Sequence, residues 1–151
     1  MNLGWDDILI QDLTPAEAGA WLAEWAFLNL GRVAPICLSR FGDWFLLRPA
    51  GEVVRLDVLE FQIDPVAPSA EAFRSLMNDP DWRHDILLSW LVADLRDAGV
   101  IAGERQCYGF APHPVVSRQI SKERVMVMDT VVWQSICAQI WRSCAAPPSN
   151  Q

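Results

Sequence analysis

The chain is 151 residues long, 52% hydrophobic and carries a formal net charge of −7, which suits one domain whose core folds without metals or disulfides. Such an acidic chain lacks the dense Lys/Arg surface that holds a nucleic-acid backbone, so direct nucleic-acid binding is excluded; its charge either keeps it dissolved or meets a basic partner. Apolar runs such as "ILLSWLVA" (86–93) fall far short of the roughly 20 residues of a membrane span, and the acidic N-terminus is unlike a secretory signal, so a cytoplasmic protein without membrane association is expected.

The first element is a helix over 13–31, "LTPAEAGAWLAEWAFLNLG". Thr14 is its N-cap, Pro15 its first helical residue, Glu17 completes a capping box, and Gly31 closes it. Ala18, Trp21, Leu22, Trp25 and Leu28 recur at spacings of three and four and face the core. Three strands follow, "APICLSR" (34–40), "WFLLR" (44–48) and "VVRLDVL" (53–59), and the turn residues of "FGD" and "PAGE" between them predict an antiparallel meander. In the third run Val54, Leu56 and Val58 alternate with Arg55, Asp57 and Leu59, the pattern of a half-exposed strand.

Pro65 and Pro68 then predict the end of the sheet. Ser69 caps a short helix with Glu71 in its first turn, and 80–99 reads as one longer helix with Leu87, Leu88, Leu91, Val92 and Leu95 facing inward and Gly99 as terminator. Prolines 112 and 114 make "YGFAPHPVVSRQI" a long surface loop. "RVMVMD" is the last strand, and "TVVWQSICAQIWRSC" the last helix, with Trp133, Ile136, Cys137, Ile140 and Cys144 along one side. A disordered tail is expected over 144–151.

Chemistry is sparse. No phosphate-binding glycine loop, nucleophile elbow or zinc-protease helix occurs. The four cysteines, Cys37, Cys107, Cys137 and Cys144, are scattered without a C-x-x-C pair and read as reduced thiols, so neither a metal nor another cofactor is expected. A nucleophile would have to come from Cys107 with His113 as base and Asp129 orienting it, although a Cys before "YGF" is more often a small buried hydrophobe. Asp57 and Glu60 offer either paired carboxylates or a solvated acidic rim, and Asp43 beside Gly42 reads as a turn aspartate bonded to its own backbone. Eight tryptophans are enough that one or two are expected at a covered surface.

Four segments, "FGDWFLLRPAGEVVRLDVLE" (41–60), "PVAPSAEAFRSLMND" (65–79), "CYGFAPHPVV" (107–116) and "VMVMDTVVWQSICAQIWRS" (125–143), resemble a bacterial domain family named for the C-terminal domain of immunity proteins that neutralise type VI secretion DNase toxins. The resemblance covers about residues 39–143. This chain departs from the family in carrying Phe61 where Gly is usual, Ser117, Arg118 and Gln119 near the position of a Gly-Gly pair, and only about 38 preceding residues. The resemblance implies a non-enzymatic inhibitor that binds a toxin and covers its active site. Nuclease sites are electropositive, so an acidic surface can stand in for nucleic acid there. Asp43, Asp57 and Glu60 are then the expected partner contacts, with Tyr108 and Phe110 as loop anchors or, equally, as packing over the sheet.

The expected fold is α+β, a central antiparallel sheet of roughly four to six strands with helices mainly on one face. Residues 1–38 form a helical segment packed on the 39–143 domain. The expected function is a protein-binding module with a partner such as a basic nuclease toxin; the alternative is a cytoplasmic regulatory adaptor with no toxin partner. An exposed strand edge leaves pairing with a second copy as a homodimer open.

Overall fold

In the computed structural model, which describes residues 3–145, a one-turn helix α1 (Trp5–Ile8) runs into a two-residue strand β1 (Leu9–Ile10). Helix α2 (Pro15–Leu22) starts on the predicted cap. The Glu17 N–H donates to the Thr14 hydroxyl, and the Thr14 N–H to the Glu17 carboxylate, both at 3.1 Å. Two of the four N–H groups that a helix start leaves open are thereby satisfied. The spacing predicts one helix to Gly31; the chain instead tightens into a 3-10 segment (Ala23–Leu28) that ends on Asn29 in left-handed conformation. Trp21 and Trp25 are buried all the same.

Strands β2 (Ala34–Ser39), β3 (Trp44–Leu47), β4 (Val53–Asp57) and β5 (Gln62–Ala67) form the meander, and β1 pairs with β2, giving the antiparallel order β1-β2-β3-β4-β5. Strand β5 corrects the reading that Pro65 ends the sheet. Pro65 lies opposite Val54, beside a register shift at Val53/Val54. An outer strand needs only one of its hydrogen-bonding edges, so the missing N–H is tolerated there. Strand β4 thereby becomes an interior strand, buried on both faces apart from half-buried Arg55, rather than the half-exposed one predicted.

Helix α3 (Ala70–Met77) starts under Ser69, whose hydroxyl accepts the Ala72 N–H at 3.1 Å. The single helix predicted over 80–99 is broken at Leu88, which has φ +54°, into α4 (Pro80–Ile86) and α5 (Ser89–Asp97). Leu87, Leu91, Val92 and Leu95 are buried across the break. Spacing of three and four thus reports which residues are buried, not whether the axis continues. Strands β6 (Gln106–Phe110) and β7 (Val125–Asp129) make a separate antiparallel pair, joined through one-turn α6 (Pro114–Ser117). The segment predicted as surface loop is therefore part strand and part helix, with Tyr108, Phe110, His113 and Pro114 buried. Helix α7 (Thr130–Ala145) completes the domain and buries Trp133, Gln134, Cys137, Ala138 and Trp141. It takes in the first residues of the expected tail, and 146–151 lie outside the described residues.

The α+β class holds, with 45% helix and 23% strand, but the helices cover both faces of the sheet. Neighbours in a strand point to opposite faces. On β3, the Trp44 indole N–H donates to Gln134 of α7 at 2.9 Å, whereas the Phe45 ring lies 5.2 Å from Phe73 of α3 and 5.8 Å from Trp82 of α4. Interior strands with large apolar residues on both sides need cover on both. Gln134 Oε1 also accepts the Trp25 indole N–H at 2.6 Å, and its Nε2 donates to the Gly42 carbonyl at 2.9 Å. Gly42 is required there: its φ is +98°, and a Cβ would stand 2.8 Å from Trp133.

The expected boundary at 38/39 falls inside β2, and the first 38 residues contribute β1 as well as helix. Buried Arg40 ties these parts together, donating to the carbonyls of Asp6 at 2.7 Å, Gly103 at 2.8 Å and Gln106 at 2.9 Å. Among the described residues no helix is long and apolar enough to cross a membrane.

Candidate functional site

Register places Phe45, Arg55 and Asp64 side by side across β3, β4 and β5 on one face of the sheet. Asp43 and Asp57, two residues from Phe45 and Arg55, share that parity and gather on the same guanidinium. Arg55 Nη2 lies 3.1 Å from Asp57 and 2.8 Å from Asp64, and Nη1 lies 4.0 Å from Asp43 Oδ2. Asp43 and Asp57 are each only 3% exposed. Both organise the turn after β4: Asp43 Oδ1 accepts the Val58 N–H at 2.9 Å, and Asp57 Oδ1 accepts the Leu59 and Glu60 N–H groups at 3.0 Å. The local-turn role expected of Asp43 belongs to Ser39, whose hydroxyl accepts the Phe41 and Asp43 N–H groups, both at 3.2 Å.

One guanidinium does not neutralise three carboxylates. Burial, then the Asp57 carboxylate, pushes Asp43 up to about 8 against the pull of Arg55. For Arg55, burial works against the charge, but Asp43, Asp64 and Asp57 outweigh it and raise its pKa. Folding therefore takes up a proton at Asp43 between its ordinary value of 3.8 and about 8. Its stabilising contribution is complete below 3.8 and is lost as pH rises through that window, at most about 1.4 kcal/mol per pH unit. Asp43→Asn keeps an acceptor for Val58 and removes the titration. Urea unfolding at pH 5, 6.5 and 8.5 should show the variant gaining on the wild type at each step, whereas parallel profiles would rule out a protonated Asp43.

Above this cluster a cleft of about 530 Å³ opens between the sheet end, the α4–α5 junction and the α6 turn. Asp43, Arg55 and Asp57 line its floor; Glu60, Asp85 and Arg118 stand at its exposed mouth; Ile86, Leu88 and Ile120 form an apolar wall. Three backbone positions around it are strained. Leu88 at φ +54° and Arg118 at φ +61° line it, and Phe61 at φ +60° follows Glu60. These are left-handed conformations that favour glycine, and such strain gathers at functional sites. The Phe61 ring stacks on His113 at 4.7 Å and Trp141 at 5.0 Å, contacts that offset its backbone cost.

Of the expected contacts, Asp43, Asp57 and Glu60 come together at this cleft, with only Glu60 exposed. Tyr108 and Phe110 do not join them. Their rings pack 5.6 and 5.9 Å from Phe41. The Tyr108 hydroxyl is satisfied internally, donating to the Val100 carbonyl at 3.0 Å and accepting the Ala102 N–H at 3.1 Å. Of the two roles open to this pair, packing is the one they have.

The Cys107, His113 and Asp129 combination is not assembled. Cys107 sits 3.3 Å from the Thr130 hydroxyl, and burial pushes its thiol up to about 12. His113 Nε2 lies 2.8 Å from the Val58 carbonyl and Nδ1 accepts the Val115 N–H at 3.0 Å, an arrangement that uses both nitrogens of a neutral ring; burial lowers its pKa. Asp129 is exposed on β7. Among the described residues no group of three His, Cys, Asp or Glu side chains is placed to hold a metal ion.

Arg55, Asp85 and the wall residues were missed in the sequence. Arg55 had a signal, its parity with Asp57 in β4; Asp85 and Ile120 had none, because only the tertiary fold brings them to the cleft. No family model matches the chain, and no curated protein matches it. The site's own geometry therefore carries the functional reading.

Proposed function

We propose that the chain is a non-enzymatic protein-binding module of the immunity type, which neutralises a secreted antibacterial toxin, a basic nuclease, by seating a cationic part of it in the acidic cleft. The observation that carries this reading is the cleft itself. Four carboxylates, Asp43, Asp57, Glu60 and Asp85, line it against two guanidinium groups, Arg55 and Arg118. Beside its mouth stand exposed Ile120 and Val116, the latter 65% accessible, the apolar residues a protein partner would cover. Glycine-favouring backbone at Phe61, where the resembled family has Gly, and at Arg118, near its Gly-Gly pair, supports the same reading.

The test uses rim residues whose replacement leaves the buried floor alone. Tagged wild type and a Glu60→Lys/Asp85→Lys variant, matched by circular dichroism, are used to capture partners from the native cells, and each captured protein is assayed for DNA cleavage. The expected result is a basic nuclease held and inhibited by the wild type and released by the variant. Capture of a protein without nuclease activity, equally by both forms, would overturn the proposal in favour of an adaptor.

A further inference from the structure

We propose that the cleft is a receptor for a single arginine side chain of the partner, with its guanidinium on Asp43 Oδ2 and its aliphatic stem along Ile86, Leu88 and Ile120. The inference rests on the reading of the cleft as the partner-binding site and adds which group enters it.

Asp43 supplies the first observation. It is 3% exposed and lines the cleft, yet its Oδ2 accepts no hydrogen bond from any described residue, the nearest cation being Arg55 at 4.0 Å. Among the described residues the fully buried side-chain oxygen without a partner is Glu52 Oε1, so Asp43 Oδ2 keeps access to the cleft and is open to a donor that a ligand brings. Arg55 cannot serve it better, because its Nη2 is already held by Asp57 and Asp64 at 3.1 and 2.8 Å. The floor and its neighbour Asp64 thus hold two more carboxylates than cations. Among the described residues Arg118 forms no ion pair, and no other described cation lies within 4.0 Å of these carboxylates.

The wall supplies the second. An apolar side beside carboxylates suits a planar, weakly hydrated guanidinium on an aliphatic stem better than the compact, strongly hydrated ammonium of lysine. The volume of about 530 Å³ lies within the range of ligand-binding clefts and leaves room for one side chain. Leu88 is held in its strained conformation on this wall, consistent with a wall shaped in advance of its ligand.

Arrival of a guanidinium also changes the proton balance. Burial and the Asp57 charge keep a proton on Asp43 in the free protein; the incoming cation displaces it to buffer, so binding tightens as pH rises toward 8. The other titratable groups acting on Asp43 or acted on by it are Arg55, Asp57 and Glu60 from β4 and its following turn, Cys107 from β6 and Cys137 from α7. Asp85 of α4 and Arg118 face it across the cleft. Both thiols are raised by burial and stay neutral throughout.

The probe is N-acetyl-arginine methylamide, titrated into the full chain and followed through the backbone amides of Val58, Leu59 and Glu60, which Asp43 and Asp57 hold. Saturable shifts with a dissociation constant in the millimolar range are expected. The lysine analogue should bind about tenfold more weakly, a difference of about 1.4 kcal/mol, and the uncharged citrulline analogue should give no saturable shift. Asp43→Asn should weaken the arginine probe and remove its pH dependence; the arginine and citrulline comparison in the wild type decides the matter even if that variant folds poorly. No saturable arginine shift up to about 50 mM, well above that range, or an equal response to citrulline, would overturn the inference. If citrulline equals arginine while the rim variant still loses a nuclease partner, this inference fails and the proposed function stands; if arginine binds selectively but no partner is a nuclease, the reverse holds.

Discussion

Replacing Arg55 by Met is expected to cost about 3–5 kcal/mol of stability, the scale for removing one partner from a buried ion pair. Arg55 is the only cation within 4.0 Å of Asp43, Asp57 and Asp64 among the described residues. Without it, the buried Asp57 carboxylate beside Asp43 loses its cation and Asp64 loses its partner, while the methionine fills much the same volume. Desolvation, not the lost attraction alone, sets the size of the effect. Arg55→Lys should lie between wild type and Met, since an ammonium on a flexible stem cannot span three carboxylates as a forked guanidinium does. Urea unfolding at pH 7 measures all three. Adding Asp57→Asn to Arg55→Met should restore part of the loss, because it removes one uncompensated charge while keeping an acceptor for the Leu59 and Glu60 N–H groups. A loss below about 1 kcal/mol, the value of an exposed pair, would mean that water reaches the cluster and that burial does not govern it.

Gln134→Leu carries the second large effect, at least about 3 kcal/mol, from three buried polar groups each costing about 1–3 kcal/mol when unpaired. The two indole N–H groups of Trp25 and Trp44 meet on one oxygen at 2.6 and 2.9 Å, and the amide nitrogen holds the Gly42 carbonyl at 2.9 Å. Leucine packs into a similar space and satisfies none of them. The network also explains why a polar residue stands on the apolar side of α7, where the spacing of Trp133, Cys137 and Trp141 alone would call for another hydrophobe. Denaturant unfolding followed by far-ultraviolet circular dichroism gives the loss. In a Trp25→Phe background the same substitution should cost less, since one of the three unpaired groups is already gone; full additivity would show that Gln134 does not couple the two indoles.

Local chemistry made much of the fold legible. The Thr14 and Glu17 cap, the Ser69 cap, strands β2 to β4 and helix α7 follow from residues close in sequence, where propensity, capping and turn preference agree. Other elements depend on what lies beside them. Strand β1 has two residues and exists because β2 offers Leu38 and Ser39 as partners. Strand β5 keeps Pro65 because it is outermost, and Leu88 turns out of the helix with no change in the apolar spacing to mark it. The site divides the same way. Asp43, Asp57 and Glu60 stood out as carboxylates near a turn, but their depth could not be read until β5 covered β4. Tyr108 and Phe110 stood out as aromatics in a proline-rich stretch, and their burial depended on the β6 pairing with β7.

The bond between Trp25 and Gln134 joins residues 109 positions apart, and a chain made from its N-terminus cannot close it early. At about 5–20 residues per second, on the order of ten seconds pass between the emergence of Trp25 and that of α7. The meander can pair in that interval, because each strand meets the next in sequence. Gln134 is missing from the sheet face that carries Trp44 until α7 leaves the ribosome, so for those seconds the indole N–H groups of Trp25 and Trp44 lack their shared acceptor, and helix α7, the last described element to be made, supplies it.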